Sequence, residues 1–319
     1  KAVASFDEDS ITMAVAAGID ALRGIDPSRV AGVYLASSTL PYKERLNAGI
    51  VSCALGMEDQ VRAADFTGGL KAGTTALLAA LEGVESKRVH SLLVTAADCR
   101  LGKPASPQEM IFGDAAAALL VGSENVIAEF KDSYSVTYDF GDHFRGALSK
   151  FDNQWEDRWI RDLGIDRFIP EVVNGLLKKT GLKMADFAKV IHPVHYSAAR
   201  TKLAKVLGIA PQADQTNLQA EVGESGVSHA LVMLVHALED VKPGDKILVV
   251  SYGSGCDALC FEVTEEIEKM RDGRGISAAL ANKAALDNYT KYLVWRNILP
   301  ADFGKRGEED KWTRFSAMW

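Results

Sequence analysis

The 319-residue sequence lacks the features that mark several large classes of protein. No apolar run reaches the length that spans a membrane, and no secretory leader is recognisable, so neither a membrane protein nor a secreted one is indicated. Basic residues form no block and the formal net charge is -7, which argues against a general nucleic-acid binder. The chain is long enough for one large domain or two fused halves with a substantial core.

Cysteine is scarce, and its spacing excludes two kinds of site. The four cysteines show no C-x-x-C pattern, and no other metal-ligand spacing is present, so we expect no bound metal. All four fall in apolar or strand-like segments, which favours reduced thiols, a cytoplasmic location and small buried side chains. The cysteines are Cys53, Cys99, Cys256 and Cys260.

Strands and helices alternate along the chain, and the order occurs twice. Strands alternating with helices predict α/β layers, and the duplication predicts a pseudo-two-fold relation between two halves. The first half is predicted as a strand over 30–38, helices over 45–55 and through Glu82, and strands over 91–96 and 115–121. The second half is predicted as a strand over 187–192, helices over 198–207 and through Glu239, and strands over 246–251 and 258–263.

A tight glycine turn joins a strand end to an apolar helix within residues 64–77. It reads Gly68-Gly69-Leu70-Lys71-Ala72-Gly73-Thr74. A side chain at such a turn projects into a cleft, where the N–H groups of the helix start can hold an anion. We therefore expect Leu70 to line a cleft beside His192, with the helix starting at about Lys71. A leucine at this position cannot act as a nucleophile.

This turn resembles the nucleophile elbow of 3-hydroxy-3-methylglutaryl-CoA synthases, members of the thiolase superfamily whose archaeal forms read Cys-Lys-Ala-Gly-Thr. Lys71 to Thr74 keep that pattern, and Leu70 stands where the family has its cysteine. The resemblance extends over residues from about 7 to 300 and implies an α/β thiolase fold, in which two duplicated halves stack as five αβαβα layers. It also implies a coenzyme A thioester as substrate, no permanently bound cofactor, and a homodimer.

The resemblance implies catalytic positions as well. The family's glutamate position reads Ser38 here, its histidine is kept as His192, and its asparagine before the second-half helix is replaced by Val222. A loop that usually supplies a backbone N–H is kept around Gly253 and Gly255. If His192 and one of these amides form an oxyanion hole, His192→Ala is expected to lower turnover by about 100-fold.

Other ionisable groups fall near the expected cleft. His195 lies three residues after His192, and three candidate bases for a β-hydroxyl proton are Tyr42, Glu221 and Glu224. For each of these, a solvated loop charge or a packed side chain is the alternative interpretation.

Two further side chains, Cys256 and His143, have interpretations of their own. Cys256, after the glycine loop, is an alternative nucleophile, although it enters a strand rather than starting a helix. His143 is interpreted as structural.

The predicted domain division has four parts: 1–128 and 170–264 as the thiolase halves, 129–169 as an aromatic-rich insertion, and 265–319 as an extension toward a partner or a further domain. The insertion suits an acyl-pocket wall, a dimer cover or a satellite cluster packed on the core. The family's opening strand is not found, so we expect a segment before Lys1. The apolar end of the extension is expected to pack on another chain or to lead into an OB-fold domain; it contains Trp312, Phe315, Met318 and Trp319.

Three functions follow from this pattern. The first is C–C bond cleavage or formation of the aldol or retro-aldol type on acyl-CoA thioesters, which needs an enolate-stabilising hole and a base but no cysteine acyl-enzyme. Aldolases of the thiolase superfamily that lack the cysteine and pair with a zinc-ribbon/OB-fold protein are the analogy. The second is a non-catalytic subunit that binds acyl-CoA or scaffolds such a partner. The third is a hydroxymethylglutaryl-CoA synthase-like acyltransferase that uses an unexpected residue.

Overall fold

The computed structural model describes residues 1–270 and 275–302. The chain divides into two compact units, Lys1–Lys283 and Ala284–Trp319. The strands are β1 (Gly32–Ala36), β2 (Arg62–Phe66), β3 (Ser91–Asp98), β4 (Ala115–Gly122), β5 (Ala128–Thr137), β6 (His143–Phe144), β7 (Asn153–Gln154), β8 (Phe187–Ile191), β9 (Lys246–Tyr252) and β10 (Gly255–Val263). The α-helices are α1 (Ser10–Ala21), α2 (Asn47–Ala54), α3 (Ala72–Glu85), α4 (Pro107–Ile111), α5 (Asp157–Trp159), α6 (Ile169–Thr180), α7 (Ser197–Leu207), α8 (His229–Leu238), α9 (Ile276–Ala281) and α10 (Tyr289–Trp295).

Two four-stranded sheets organise the first unit. Their strand orders are β2-β1-β3-β4 and β5-β10-β9-β8. In the first sheet β1 runs parallel to β3 and β3 antiparallel to β4, and in the second sheet β8 runs parallel to β9 and β9 antiparallel to β10. The matching pairings confirm the predicted duplication.

The helices form three layers around these sheets. Helices α3 and α8 lie between the sheets and share one central core with both of them. Helices α1 and α2 cover the outer face of the first sheet, and α6 and α7 cover the outer face of the second. This is the predicted five-layered αβαβα order.

The apolar runs in the strands follow from this layering. In β3, Leu92 and Val94 belong to the central core and Leu93 belongs to the outer core, because successive side chains of a strand point to opposite faces. A strand covered by helices on both faces therefore reads as a continuous apolar run.

The boundaries of the predicted insertion and extension differ from the observed elements. The insertion predicted over 129–169 begins within β5, which pairs with β10 at the edge of the second sheet. Residues 265–283 belong to the first compact unit, so the second unit begins at Ala284 rather than at residue 265. The predicted apolar end, from Trp312 to Trp319, lies outside the described residues.

Within the described residues, no helix has both the length and the apolar character that crossing a bilayer requires. In the same part of the chain, no group of three or more His, Cys, Asp or Glu side chains is arranged to hold a metal ion.

Candidate functional site

The glycine turn connects β2 to α3, as the sequence predicts. Gly68 has a φ of +92°, a conformation that favours glycine, and α3 begins at Ala72 directly after the turn. Gly73, in the first turn of α3, lies so close to the second half that an added Cβ would be 2.5 Å from the carbonyl oxygen of Val227. The elbow is therefore built at the contact between the two halves.

A buried ion pair fixes the elbow to the second sheet. The Nζ of Lys71 lies 2.9 Å from Oδ1 of Asp257 in β10, and the hydroxyl of Thr74 donates to Oδ2 of the same carboxylate at 2.7 Å. Asp257 is 1% exposed. The Lys-Ala-Gly-Thr pattern thus has a structural role that does not depend on the residue before it.

A small cavity of about 40 Å³ lies beside the elbow. Leu70 lines it together with apolar side chains such as Ile160, Ile165 and Val194. A space of this size accommodates a few waters. The polar side chains around it are His143, His195, Tyr196, Glu224, Ser251 and Tyr252.

The carboxylate of Glu224 is bound by a guanidinium and a backbone N–H. Its Oε2 accepts from the guanidinium of Arg100, and its Oε1 accepts from the N–H of Gly226 at 2.9 Å. Burial favours the neutral acid, but Arg100 and the histidines around the site, His229 first, hold the pKa of Glu224 at about 2. A carboxylate that weakly basic is a poor acceptor for a β-hydroxyl proton, so the structure does not support the predicted base role of Glu224.

His195 faces the same cavity. Its Nε2 is buried and has no hydrogen-bond partner among the described residues, and its ring packs on that of Tyr196 with centroids 4.0 Å apart. Burial lowers the pKa of His195 despite the nearby carboxylate of Glu224, so the ring is neutral at pH 7. A neutral imidazole with a free nitrogen at the cavity can donate a proton or a hydrogen bond to substrate.

His192 does not line the cavity. It is 1% exposed, and its Nε2 lies 3.2 Å from Oδ1 of Asp214, which also accepts from Arg200. Burial lowers the pKa of His192, outweighing the attraction of Asp214 for the proton. The structure brings His195 to Leu70 in place of the expected His192.

Two of the predicted bases lie away from the cavity. Tyr42 is 47% exposed and Glu221 is exposed, and neither side chain lines the cavity. Ser38, expected at the family's glutamate position, donates its N–H and its hydroxyl to the buried carboxylate of Asp98, at 2.7 and 2.9 Å. Val222, expected at the asparagine position, packs in the central core, whereas Glu224 two residues later reaches the cavity.

The glycine loop meets the elbow, and the N–H of Gly253 is occupied within the loop. An added Cβ on Gly253 would lie 2.7 Å from the backbone nitrogen of Leu70, so the two segments are in close contact. The N–H of Gly253, however, donates to the carbonyl of Gly255 at 2.9 Å, and Gly255 begins β10 opposite Thr137. The N–H of Gly253 is therefore used within the loop.

No described cysteine lines the cavity. Cys256 is fully buried in the core around the second sheet, and burial raises its pKa well above the usual range, so the thiol stays protonated. The structure does not support Cys256 as a relocated nucleophile.

The predictions missed a pair of residues in the insertion. His143 lines the cavity, and its Nδ1 lies 3.1 Å from Oδ2 of Asp142, which is 2% exposed. The negative charge of Asp142 also contributes, after burial, to raising the pKa of Tyr252. The signal in the sequence is an adjacent Asp and His in a segment that the repeat does not explain, but nothing in one sequence shows that this segment returns to the elbow.

No protein-family model matches the chain. The chain is 32% identical over 306 residues to a hydroxymethylglutaryl-CoA synthase from Pyrobaculum aerophilum, with 94% of this chain and 87% of the relative covered. It is 33% identical over 277 residues to a protein of the same name from Methanopyrus kandleri, with 85% and 79% covered. A crystal structure of an HMG-CoA synthase in complex with CoA superposes with a TM-score of 0.80 at 20% identity, covering 91% of this chain and 79% of that one. These similarities confirm the thiolase fold and the resemblance drawn from the elbow.

Proposed function

The chain belongs to the hydroxymethylglutaryl-CoA synthase family, and we propose that it cleaves or forms a C–C bond of the aldol type on an acyl-CoA thioester without a cysteine acyl-enzyme. The substrate class is a β-hydroxyacyl-CoA in one direction, and an acyl-CoA with a ketone or aldehyde in the other.

The cavity beside the elbow carries this proposal. Leu70 lines this cavity at the turn that resembles the family's nucleophile elbow, and no described cysteine lines the same space. Two histidines do line it, so proton transfer is available where covalent catalysis through a thiol is not. An aldol cleavage needs those proton transfers and a stabilised enolate, and it needs no nucleophile.

His195 is proposed to stabilise the enolate. When the bond between Cα and Cβ breaks, its electron pair moves to Cα and charge develops on the thioester oxygen. A neutral imidazole that donates to this oxygen in a buried site stabilises the developing charge more than it does in water. The buried, unpartnered Nε2 of His195 supports this role.

The relatives' name favours a second candidate, a synthase-like condensation of two acyl-CoA molecules. That activity in this chain would need another nucleophile at the cavity, and of the lining residues only Ser251 and the two tyrosines carry a hydroxyl. A third candidate is a non-catalytic subunit that binds acyl-CoA. The pairing of Glu224 with Arg100 favours it, because that carboxylate is then a poor base.

Association is proposed from the family. We expect a homodimer, and a zinc-ribbon/OB-fold protein or domain that contacts the end of the chain. Size measurement of the full chain and of a form lacking residues 300–319, alone and with the product of the neighbouring gene, tests this. Identical dimers with equal partner binding would contradict a docking role for the tail.

Product analysis tests the proposed reaction. The full chain is incubated with β-hydroxyacyl-CoA thioesters, beginning with 3-hydroxy-3-methylglutaryl-CoA, and the acyl-CoA and carbonyl products are measured. Cleavage with an unmodified protein mass supports the aldol-type function. An acyl adduct supports the synthase-like candidate, and binding with neither product nor adduct supports the silent subunit.

A further inference from the structure

The insertion between the halves delivers a carboxylate–imidazole pair to the cavity. Strands β6 and β7 pair His143 with Gln154, and the N–H of Trp155 donates to the carbonyl of Asp142 at 2.8 Å. The rings of Trp155 and Phe140 also pack together, with centroids 5.7 Å apart. The backbone on both sides of the pair is therefore fixed.

The insertion is also joined by charge to the first half and, through Arg100, to the second. Asp152 accepts from Arg145 of the insertion and from Arg100 of the first half, each at 2.6 Å. Arg100 in turn pairs with Glu224 of the second half. Buried pairs of this kind are costly to break, so the position of the insertion against the cavity is well defined.

We propose that His143 is the acid–base residue of the site and that Asp142 orients it. The Nδ1 of His143 lies 3.1 Å from Oδ2 of Asp142, and the same carboxylate accepts the backbone N–H of His143 through Oδ1 at 2.9 Å. This contact is an ion-pair distance, and the two atoms are not aligned as a hydrogen bond among the described residues. A carboxylate this close favours the tautomer with its proton on Nδ1, which leaves Nε2 as the basic nitrogen.

The surroundings of His143 and His195 differ, and this difference assigns a separate catalytic role to each. Oδ2 of Asp142 lies 3.1 Å from Nδ1 of His143. The carboxylate that acts on His195 is Glu224, and it is paired with the guanidinium of Arg100. The acid–base role therefore falls to His143, which has a carboxylate beside its ring at the cavity, and the donor role falls to His195. This inference rests on the proposed aldol-type function and assigns its proton transfers.

The step balances without a cofactor. Nε2 of His143 takes the proton of the β-hydroxyl group, the C–O bond becomes a carbonyl, and the Cα–Cβ bond breaks with its electron pair moving to Cα. The imidazolium then returns the proton to Cα, which releases acyl-CoA and a ketone or aldehyde. The reverse sequence forms the bond.

Kinetics of variants in the full chain test the assignment. His143→Ala is expected to lower the kcat of β-hydroxyacyl-CoA cleavage by roughly 100-fold or more, the usual contribution of a general acid–base. Asp142→Asn is expected to lower it by about 10- to 100-fold, because the tautomer is no longer fixed. His236→Ala is the matched control, since His236 is a half-buried histidine away from the cavity that contacts Gln215.

Imidazole rescue separates catalysis from structure. Added imidazole is expected to restore part of the cleavage rate of His143→Ala and none of the rate of a His195→Ala variant, and circular dichroism checks that each variant is folded. Wild-type cleavage with an undiminished rate in folded His143→Ala would overturn the role of His143 and leave the proposed function standing. If the wild-type chain neither cleaves β-hydroxyacyl-CoA nor exchanges the Cα protons of acetyl-CoA with solvent, the proposed function and this inference both fail.

Discussion

Lys71 of the elbow and Asp257 of β10 form an ion pair of 2.9 Å across the two halves of the fold. The lysine is 16% exposed at its side chain and the aspartate 1%. The pair holds the start of α3 against the second sheet, which is where the cavity lies. The elbow therefore keeps its geometry although Leu70 carries no reactive group.

Asp257→Asn is expected to destabilise the protein by roughly 3 kcal/mol, because it leaves the partly buried charge of Lys71 without its carboxylate. Urea unfolding measures the change in the free energy of unfolding. Asp240→Asn is the control, since Asp240 pairs with Lys189 at 3.3 Å but is 84% exposed at its side chain, and such a pair contributes only about 0–1 kcal/mol. Equal effects of the two substitutions would contradict a structural role for the buried pair.

Leu70→Cys is expected to make the chain acylatable. The substitution places a thiol at the turn before α3, where the helix start lowers the pKa of a cysteine. Intact-mass spectrometry after incubation with acetyl-CoA should show one acetyl group on Leu70→Cys and none on the wild type or on Leu70→Ala. An adduct on the wild type, mapped to Cys99 or Cys256, would instead indicate a relocated nucleophile.

His195 is expected to contribute to turnover, and His192 is expected to contribute to stability. His195→Gln should lower kcat by about 100-fold, the usual effect of losing one oxyanion donor. His192→Gln should leave kcat within a few-fold and lower stability by about 1–3 kcal/mol, since it removes a buried partner of Asp214. Steady-state kinetics and thermal unfolding of both variants distinguish the roles, and the opposite result would return the oxyanion role to His192.

The stability contribution of Glu224 is expected to depend on pH. Its folded pKa of about 2 lies below the ordinary value of 4.5, so the unfolded chain binds the proton more tightly. The contribution is complete above pH 4.5 and is lost as the pH falls toward 2. Glu224→Gln should therefore be less stable than wild type by about 2–3 kcal/mol at pH 6, with the difference shrinking below pH 4.5, as measured by urea unfolding. A difference that is constant with pH would contradict the ionised state of Glu224.

The order of apolar and polar residues along the chain was enough to predict the α/β layers. The sequence predicts a strand over 91–96, and β3 extends from Ser91 to Asp98 with helices on both of its faces. The strand β5 was missed since its alternation of polar and apolar residues is that of a sheet edge, and its pairing with β10 joins positions far apart in sequence.

The sequence by itself determined the α/β layers and the elbow, because neighbouring residues set both of them. Strands alternate with helices along the chain, and at the elbow a strand end, two glycines and a helix start surround Leu70. Only the tertiary structure decided which charged and aromatic side chains meet at the cavity. His192 and His195 are three residues apart, and the direction of each ring depends on Asp214 and on the packing around it. His143 reaches the site in an insertion that a buried ion pair joins to Arg100 of the first half, which also pairs with Glu224 of the second half, and such contacts leave no trace in local spacing.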